Sequence, residues 1–236
     1  MERRALEGRV VAITGAAGSL GPIVAHRLAP EGALLALCGR RLEPLESLAV
    51  ELEGAEPAAV DLLDPDATSA WADDLATRHG RIDGLVHLVG GWRGGTPIEE
   101  APREDWDLLH GLLVSTTQNA TRAFARHLLA SGRGRFVIVS SGQAQAPTHT
   151  NAAYAAAKAA AETWTLALAD RFRGSGATAN IVVVGAIVTP EMRAAEPERD
   201  FSTFTPAEEI AEAIAYLCSD AAASMNGQRL VLRGAA

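Results

Sequence analysis

Cysteine, aromatic residues and long apolar runs are all scarce in this chain, and each scarcity closes off a class of protein. Only two cysteines occur among 236 residues, Cys38 and Cys218. Two thiols so far apart in sequence do not frame a disulfide scaffold and fit a reducing compartment. Aromatics make up 5 % of the chain against 48 % hydrophobic residues overall, so the core has to be assembled from Ala, Val, Leu and Ile. A chain of this length can bury such a core without staples. No run reaches the roughly eighteen apolar residues a membrane-spanning helix requires, and Met1–Arg9 is charged, with no apolar stretch of signal length. The formal net charge is −8 and no basic tract occurs, which argues against a nucleic-acid partner. His26, His79, His110 and His127 fall on helical segments without metal-ligand spacing, so no metal is expected. The expectation is a cytoplasmic protein that acts on a small molecule.

What the chain does have is alternation. Short β-branched or aliphatic runs at Val10–Thr14, Ala33–Cys38, Ala58–Val60, Leu85–Val89, Arg135–Val139, Asn180–Val184 and Arg229–Leu232 have the length and content of buried parallel strands. Between them lie helical stretches at Leu42–Leu52, Pro65–His79, Glu104–Leu129, Ala152–Leu168 and Pro206–Cys218. Strand and helix in alternation predict one α/β domain over 1–236, a parallel sheet with helices on both faces. No linker, repeat or low-complexity segment interrupts it.

Three stretches carry chemistry. The first strand runs into Gly15-Ala-Ala-Gly18-Ser19-Leu20-Gly21, and Pro22 then opens a helix. A strand, a glycine turn and a helix N-terminus bring backbone amides and a positive dipole end to a phosphate. The second strand ends Gly39-Arg40-Arg41 where dinucleotide folds read the adenosine ribose. An acid there would hold the free hydroxyl of NAD, whereas an arginine fork pairs with the 2′-phosphate of NADP. NADP(H) is therefore the preferred cofactor, with NAD(H) the alternative. Asp61, after the third strand, either accepts from an adenine amine or caps the next helix, and the glycines from Gly90 fit a cofactor crevice. Third, Tyr154 and Lys158 are four apart and share a helix face. A free phenol has a pKa of about 10, and a neighbouring cation is expected to lower it, making a proton donor and acceptor for a substrate oxygen or nitrogen.

Taken together, Thr14-Gly15 with Gly18 and Gly21, Asp61, Gly90, Ser141, Tyr154-x-x-x-Lys158, Asn180, Gly185 and Thr189 resemble the short-chain dehydrogenase/reductase family over nearly the whole chain. The resemblance implies a doubly wound Rossmann-type domain with a seven-stranded sheet, a nicotinamide cofactor, and hydride transfer assisted by Ser141, Tyr154 and Lys158. It implies cofactor contacts at Thr14, Gly15, Gly18, Ser19, Leu20, Gly21, Arg40, Arg41, Asp61, Leu62, Gly90, Tyr154, Lys158, Gly185, Val188 and Thr189. It also implies a homotetramer or homodimer, through the Glu104–Leu129 and Ala152–Leu168 helices.

The chain departs from the family pattern in several places. Ser19 stands where the usual turn has its middle glycine, and the spacing matches the Thr-Gly-x-x-Gly-x-x-Gly variant instead. His87-Leu88-Val89-Gly90 replaces the usual Asn-Asn-Ala-Gly. Counting from Trp106 puts Leu113 at the seat of the helix asparagine that completes the family's catalytic tetrad, and Asn119, about 240° further round the helix, cannot simply replace it. These departures motivate a rival reading, a cofactor-binding sensor or scaffold without catalysis. More locally, Gly90–Gly95 with Trp92 and Arg93, and Asp200–Pro206, resemble dihydropteridine reductase. Trp92 and His149 are candidate substrate contacts, and Glu191–Phe204 a short lid.

Overall fold

The structure is a computed structural model that describes residues 4–232; the first three residues of the charged Met1–Arg9 stretch lie outside it. Seven parallel strands form one sheet: β1 (Val10–Thr14), β2 (Leu34–Gly39), β3 (Glu56–Ala59), β4 (Gly84–His87), β5 (Arg135–Ser141), β6 (Thr178–Val184) and β9 (Arg229–Val231), in the order β3-β2-β1-β4-β5-β6-β9. The chain winds outward from β1 to β3, returns, and winds the other way from β4. The switch point lies between β1 and β4, where Val11 pairs with Gly84 and Thr14 with His87. A crevice opens at the carboxyl ends of the strands at such a point.

Side chains alternate across the sheet as the pleat demands. Val11, Ile13, Leu35, Leu37, Val86, Val137 and Val182 face one core with α1 (Gly21–Leu28), α2 (Leu42–Glu51) and α8 (Ala207–Cys218). Ala12, Ala36, Cys38, Leu85, Phe136, Ile138, Ile181 and Val183 face the other, with α3 (Pro65–His79), α5 (Thr116–Ser131) and α6 (Ala152–Arg171). Few aromatics are needed because alanines let the helices sit close: Ala120, Ala123, Ala161 and Ala169 are all buried. Trp71 packs against Phe124 edge to face at 5.1 Å in the second core.

The amino ends of the strands are closed by charge. Arg9 and Arg135 are 1 % exposed. The Arg9 guanidinium pairs with Asp220 and donates to the Arg133 carbonyl at 3.1 Å, while Arg135 donates to the carbonyls of Gly176 and Ser219. Asp83, fully buried, accepts from Arg81, Arg133, Ser131 and the amide of Val10. These donors hold its carboxyl below the usual range although burial alone would raise it.

Two predicted elements are corrected. The single helix expected over Glu104–Leu129 is α4 (Arg103–Leu109), a π-helical turn (His110–Ser115), and then α5. The Thr116 amide reaches back five residues to the Gly111 carbonyl, while the hydroxyls of Thr116 and Thr117 cap the carbonyls of Leu112 and Leu113 at 2.6 and 2.7 Å. A glycine followed by hydroxyls that compete for carbonyls is a composition that loosens a helix. The expected lid is also more ordered than its sequence suggests: β7 (Ala186–Val188) pairs with β8 (Phe204–Pro206), and α7 (Pro190–Ala195) lies between them.

Candidate active site

The glycine turn after β1 is built for close approach. Gly15 has φ +74°, and a Cβ there would lie 2.9 Å from the backbone of Leu88 and Val89; one on Gly21 would lie 2.2 Å from the Ala16 carbonyl oxygen. No side chain caps α1, whereas α3 is capped by Asp64, which accepts from the amides of Asp66 and Ala67. Among the described residues, the amides of Ser19 and Leu20 donate to no protein atom. A bare helix start beside a side-chain-free cradle fits a dinucleotide's pyrophosphate.

Two cavities meet at this turn. One, of about 560 Å³, is lined by Gly39, Arg40, Arg41, Asp61, Leu62, Leu63 and Thr116, and the other, of about 720 Å³, by Ser19, Leu20, Trp92, Ser141, Gln143, Tyr154, Lys158, Gly185 and the lid. Both share Gly15, Gly18 and Gly90, so they form one trough across the carboxyl ends of the strands. Arg40 and Arg41 are exposed at its rim, and neither has an ion-pair partner among the described residues. Asp61 does not cap α3, which Asp64 does; its carboxylate accepts from the Leu63 amide at 3.0 Å.

Ser141 ends β5, while Tyr154 and Lys158 stand one turn apart on α6. The Ser141 hydroxyl accepts from the Gln143 amide at 3.2 Å. Lys158 is buried and donates to the Val139 carbonyl at 2.8 Å. Its ammonium lies 5.8 Å from the centre of the Tyr154 ring. Burial lowers the Lys158 pKa to about 8, against the raising effect of Glu162. The expected lowering of the tyrosine pKa by this cation is not found. Burial raises Tyr154, and the effect that opposes it is hydrogen bonding to Ser141.

The remaining predicted positions divide. Thr14, Val188 and Thr189 are buried and line neither cavity. Thr189 caps α7, accepting from the Met192 amide at 3.3 Å, and Ala186 and Ile187 line the trough in its place. Trp92 lines it and His149 does not, being exposed on its loop. Arg93 donates to the carbonyl of Trp92. Leu113 packs in the π-helical turn with Leu109, Ala157 and Tyr154, and Asn119 donates to the Leu62 carbonyl at 2.9 Å.

Four residues here were not singled out from sequence. His87, 3 % exposed, bonds through Nδ1 to the Thr14 hydroxyl at 2.7 Å and through Nε2 to that of Thr116 at 3.2 Å. Since Thr116 donates to Leu112, its oxygen must accept from His87, so the ring carries its proton on Nε2. Burial, and then the charge on Lys158, push His87 down to about 3. Glu162, one turn beyond Lys158, is fully buried and accepts from Ser140, Gln145 and Arg229 at 2.6, 2.8 and 2.6 Å. Gln143 and Arg199 line the trough. One signal was available: Lys158 is the only lysine in the chain, beside twenty arginines. Among the described residues, no cluster of three or more His, Cys, Asp or Glu could hold a metal, and no helix is long and apolar enough to cross a membrane.

The sheet order, the glycine turn and the trough define a Rossmann-type nucleotide-binding fold. A family model described as enoyl-(acyl carrier protein) reductase matches residues 15–234. The chain is 32 % identical to a D-threitol dehydrogenase of Mycolicibacterium smegmatis, over 97 % of its own length and 93 % of the relative's. It is also 32 % identical to a gluconate 5-dehydrogenase of Gluconobacter oxydans, over 97 % and 94 %. A crystal structure of a gluconate 5-dehydrogenase from Burkholderia cenocepacia in complex with NADP and tartrate superimposes with a TM-score of 0.88 at 29 % identity, covering 98 % of this chain and 96 % of that one. The chain belongs to the short-chain dehydrogenase/reductase family, whose fold carries hydride-transfer oxidoreductase activity.

Proposed function

We propose that the protein is an NADPH-dependent reductase of a small carbonyl or imine compound, acting reversibly on the corresponding alcohol. The observation that carries this reading is Ser141, Tyr154 and Lys158 on the wall of one trough with the glycine turn. When bound, the dinucleotide supplies the hydride. Gly15, Gly18 and the free amides of Ser19 and Leu20 would hold its pyrophosphate, Arg40 and Arg41 its 2′-phosphate, and Lys158 its nicotinamide ribose. Ser141 holds the acceptor oxygen by hydrogen bond. Tyr154, protonated at neutral pH as a phenol with a pKa of about 10 or above is, donates a proton to that oxygen in reduction and must give up its own proton first in oxidation. The two relatives named for D-threitol and gluconate support a hydroxylated small molecule.

The competing substrate is a quinonoid dihydropterin. Trp92 and Phe204, from the two stretches that resemble dihydropteridine reductase, both line the trough and would suit a flat ring. The test is oxidation of NADPH and NADH against ketones, aldehydes, imines and quinonoid dihydropterin. Each active substrate is repeated with Tyr154→Phe, which should lower turnover about 10²- to 10⁴-fold while NADPH binding stays intact. Wild-type turnover in that variant would overturn the reading. A homodimer or homotetramer through α5 and α6 is proposed too, and a monomer by light scattering would refute it. The buried free cysteines support a cytoplasmic location.

A further inference from the structure

The wall of the second cavity carries charge of one sign. Among the described residues, Lys158 and Arg199 line it and no aspartate or glutamate does, in a chain of formal net charge −8. Lys158 is committed to the Val139 carbonyl beside Tyr154, which leaves Arg199 as the cation on the lid side.

Arg199 is held in place from several directions. Its Nη1 donates to both carboxylate oxygens of Glu196 at 3.1 Å. Its guanidinium carbon lies 5.2 Å from the ring centres of both Phe201 and Phe204, which meet edge to face at 5.1 Å. Arg193 lies 5.6 Å from the Phe201 ring centre. A guanidinium offers five N–H donors in a rigid planar fork. Glu196 occupies only the Nη1 corner, so Nε and Nη2 are left for a carboxylate, and the stacked rings fix their plane.

Resting on the reductase reading above, we infer that the substrate is an oxocarboxylate, reduced to a hydroxycarboxylate, whose carboxylate pairs with Arg199. The carbonyl carbon gains two electrons and a hydrogen from the reduced dinucleotide, and its oxygen gains the Tyr154 proton. One C=O π bond becomes a C–H and an O–H bond. Arg199 takes no part in that step; it sets which molecule is presented to Ser141 and Tyr154.

The test compares matched pairs, 4-oxocyclohexanecarboxylate with its carboxamide and 4-oxopentanoate with its amide, in wild type, Arg199→Gln and Arg199→Lys. KM for NADPH is measured in each. Wild type should favour the acid over the amide by about tenfold or more in kcat/KM, about 1.4 kcal/mol. Arg199→Gln should erase that preference by raising KM for the acids, leaving kcat, the amides and KM for NADPH unchanged, and Arg199→Lys should restore part of it. Calorimetry on the NADP-loaded protein with unreactive cyclohexanecarboxylate and its carboxamide gives a readout free of turnover. No acid preference there overturns the carboxylate site. So does an Arg199→Gln variant in which KM for NADPH rises alike with acids and amides, because the arginine then serves the cofactor. A calorimetric preference without turnover of any compound would keep the site and overturn the reductase.

Discussion

At the scale of single residues, the site depends on which cation stands where. Lys158 and Arg40 illustrate two different uses of positive charge. Lys158 is buried against a carbonyl with its pKa brought down to about 8, which only an amine can do, since a guanidinium keeps its proton. Lys158→Arg should therefore fail to restore turnover although it conserves charge, while Lys158→Met should weaken NADPH binding as well; fluorescence titration and initial rates separate the two. Arg40 sits exposed at the trough's rim, and among the described residues no acid pairs with it. A hydrogen bond to a charged group contributes about 1.5–3 kcal/mol. Arg40→Ala should therefore lower kcat/KM for NADPH by about ten- to a hundredfold and leave NADH nearly unaffected. Equal losses with both cofactors would show that the arginine does not read the 2′-phosphate. Tyr154 and Lys158 were legible in the sequence because four-residue spacing puts them on one helix face whatever else the chain does. Glu162 was not, because its partners Ser140 and Arg229 come from two different strands. Nor could spacing alone have warned that burial would raise the Tyr154 pKa with a lysine one turn away.

At the scale of elements, strand–turn–helix order was readable because strand runs and glycines are local signals. The break in the long helix after β4 was not: Thr116 and Thr117 bond carbonyls four residues back there, but Thr121 and Thr165 do the same inside unbroken helices, so these hydroxyls are no distinguishing signal. The pairing of β7 with β8 brings together segments sixteen or more residues apart, and three-residue strands leave no periodicity to read. The glycine turn gives the sharpest element-level prediction. Gly21→Ala would drive a Cβ to 2.2 Å from the Ala16 carbonyl oxygen, whereas the same change at Gly142 meets nothing within 4 Å. Overpacking costs about 1–3 kcal/mol, and a chain of this size loses about 2–4 °C of Tm per kcal/mol. Thermal melts should therefore separate the two variants, with Gly142→Ala close to wild type.

At the scale of the whole molecule, the sheet has a locked end and an open end. Arg9, Asp83 and Arg135 close the amino ends of the strands, while the carboxyl ends carry the trough. His87 sits beneath the open end and links its protonation to global stability. Its folded pKa is about 3 against 6.5 for the free side chain. Between those values the unfolded chain takes up a proton that the folded one refuses. The stability His87 confers is thus complete above about pH 6.5, and it falls by up to about 1.4 kcal/mol per unit as pH drops toward 3. Urea titrations of wild type and His87→Asn across that range should show the steeper slope in wild type, and parallel slopes would refute the assignment. The lone lysine has one more consequence. A protease specific for lysyl bonds has a single target in 236 residues, and that target lies inside α6, 9 % exposed. The folded chain should resist such a protease. Each molecule that opens should be cut once, into pieces ending and beginning at residues 158 and 159, so the appearance of two bands would count unfolding events directly.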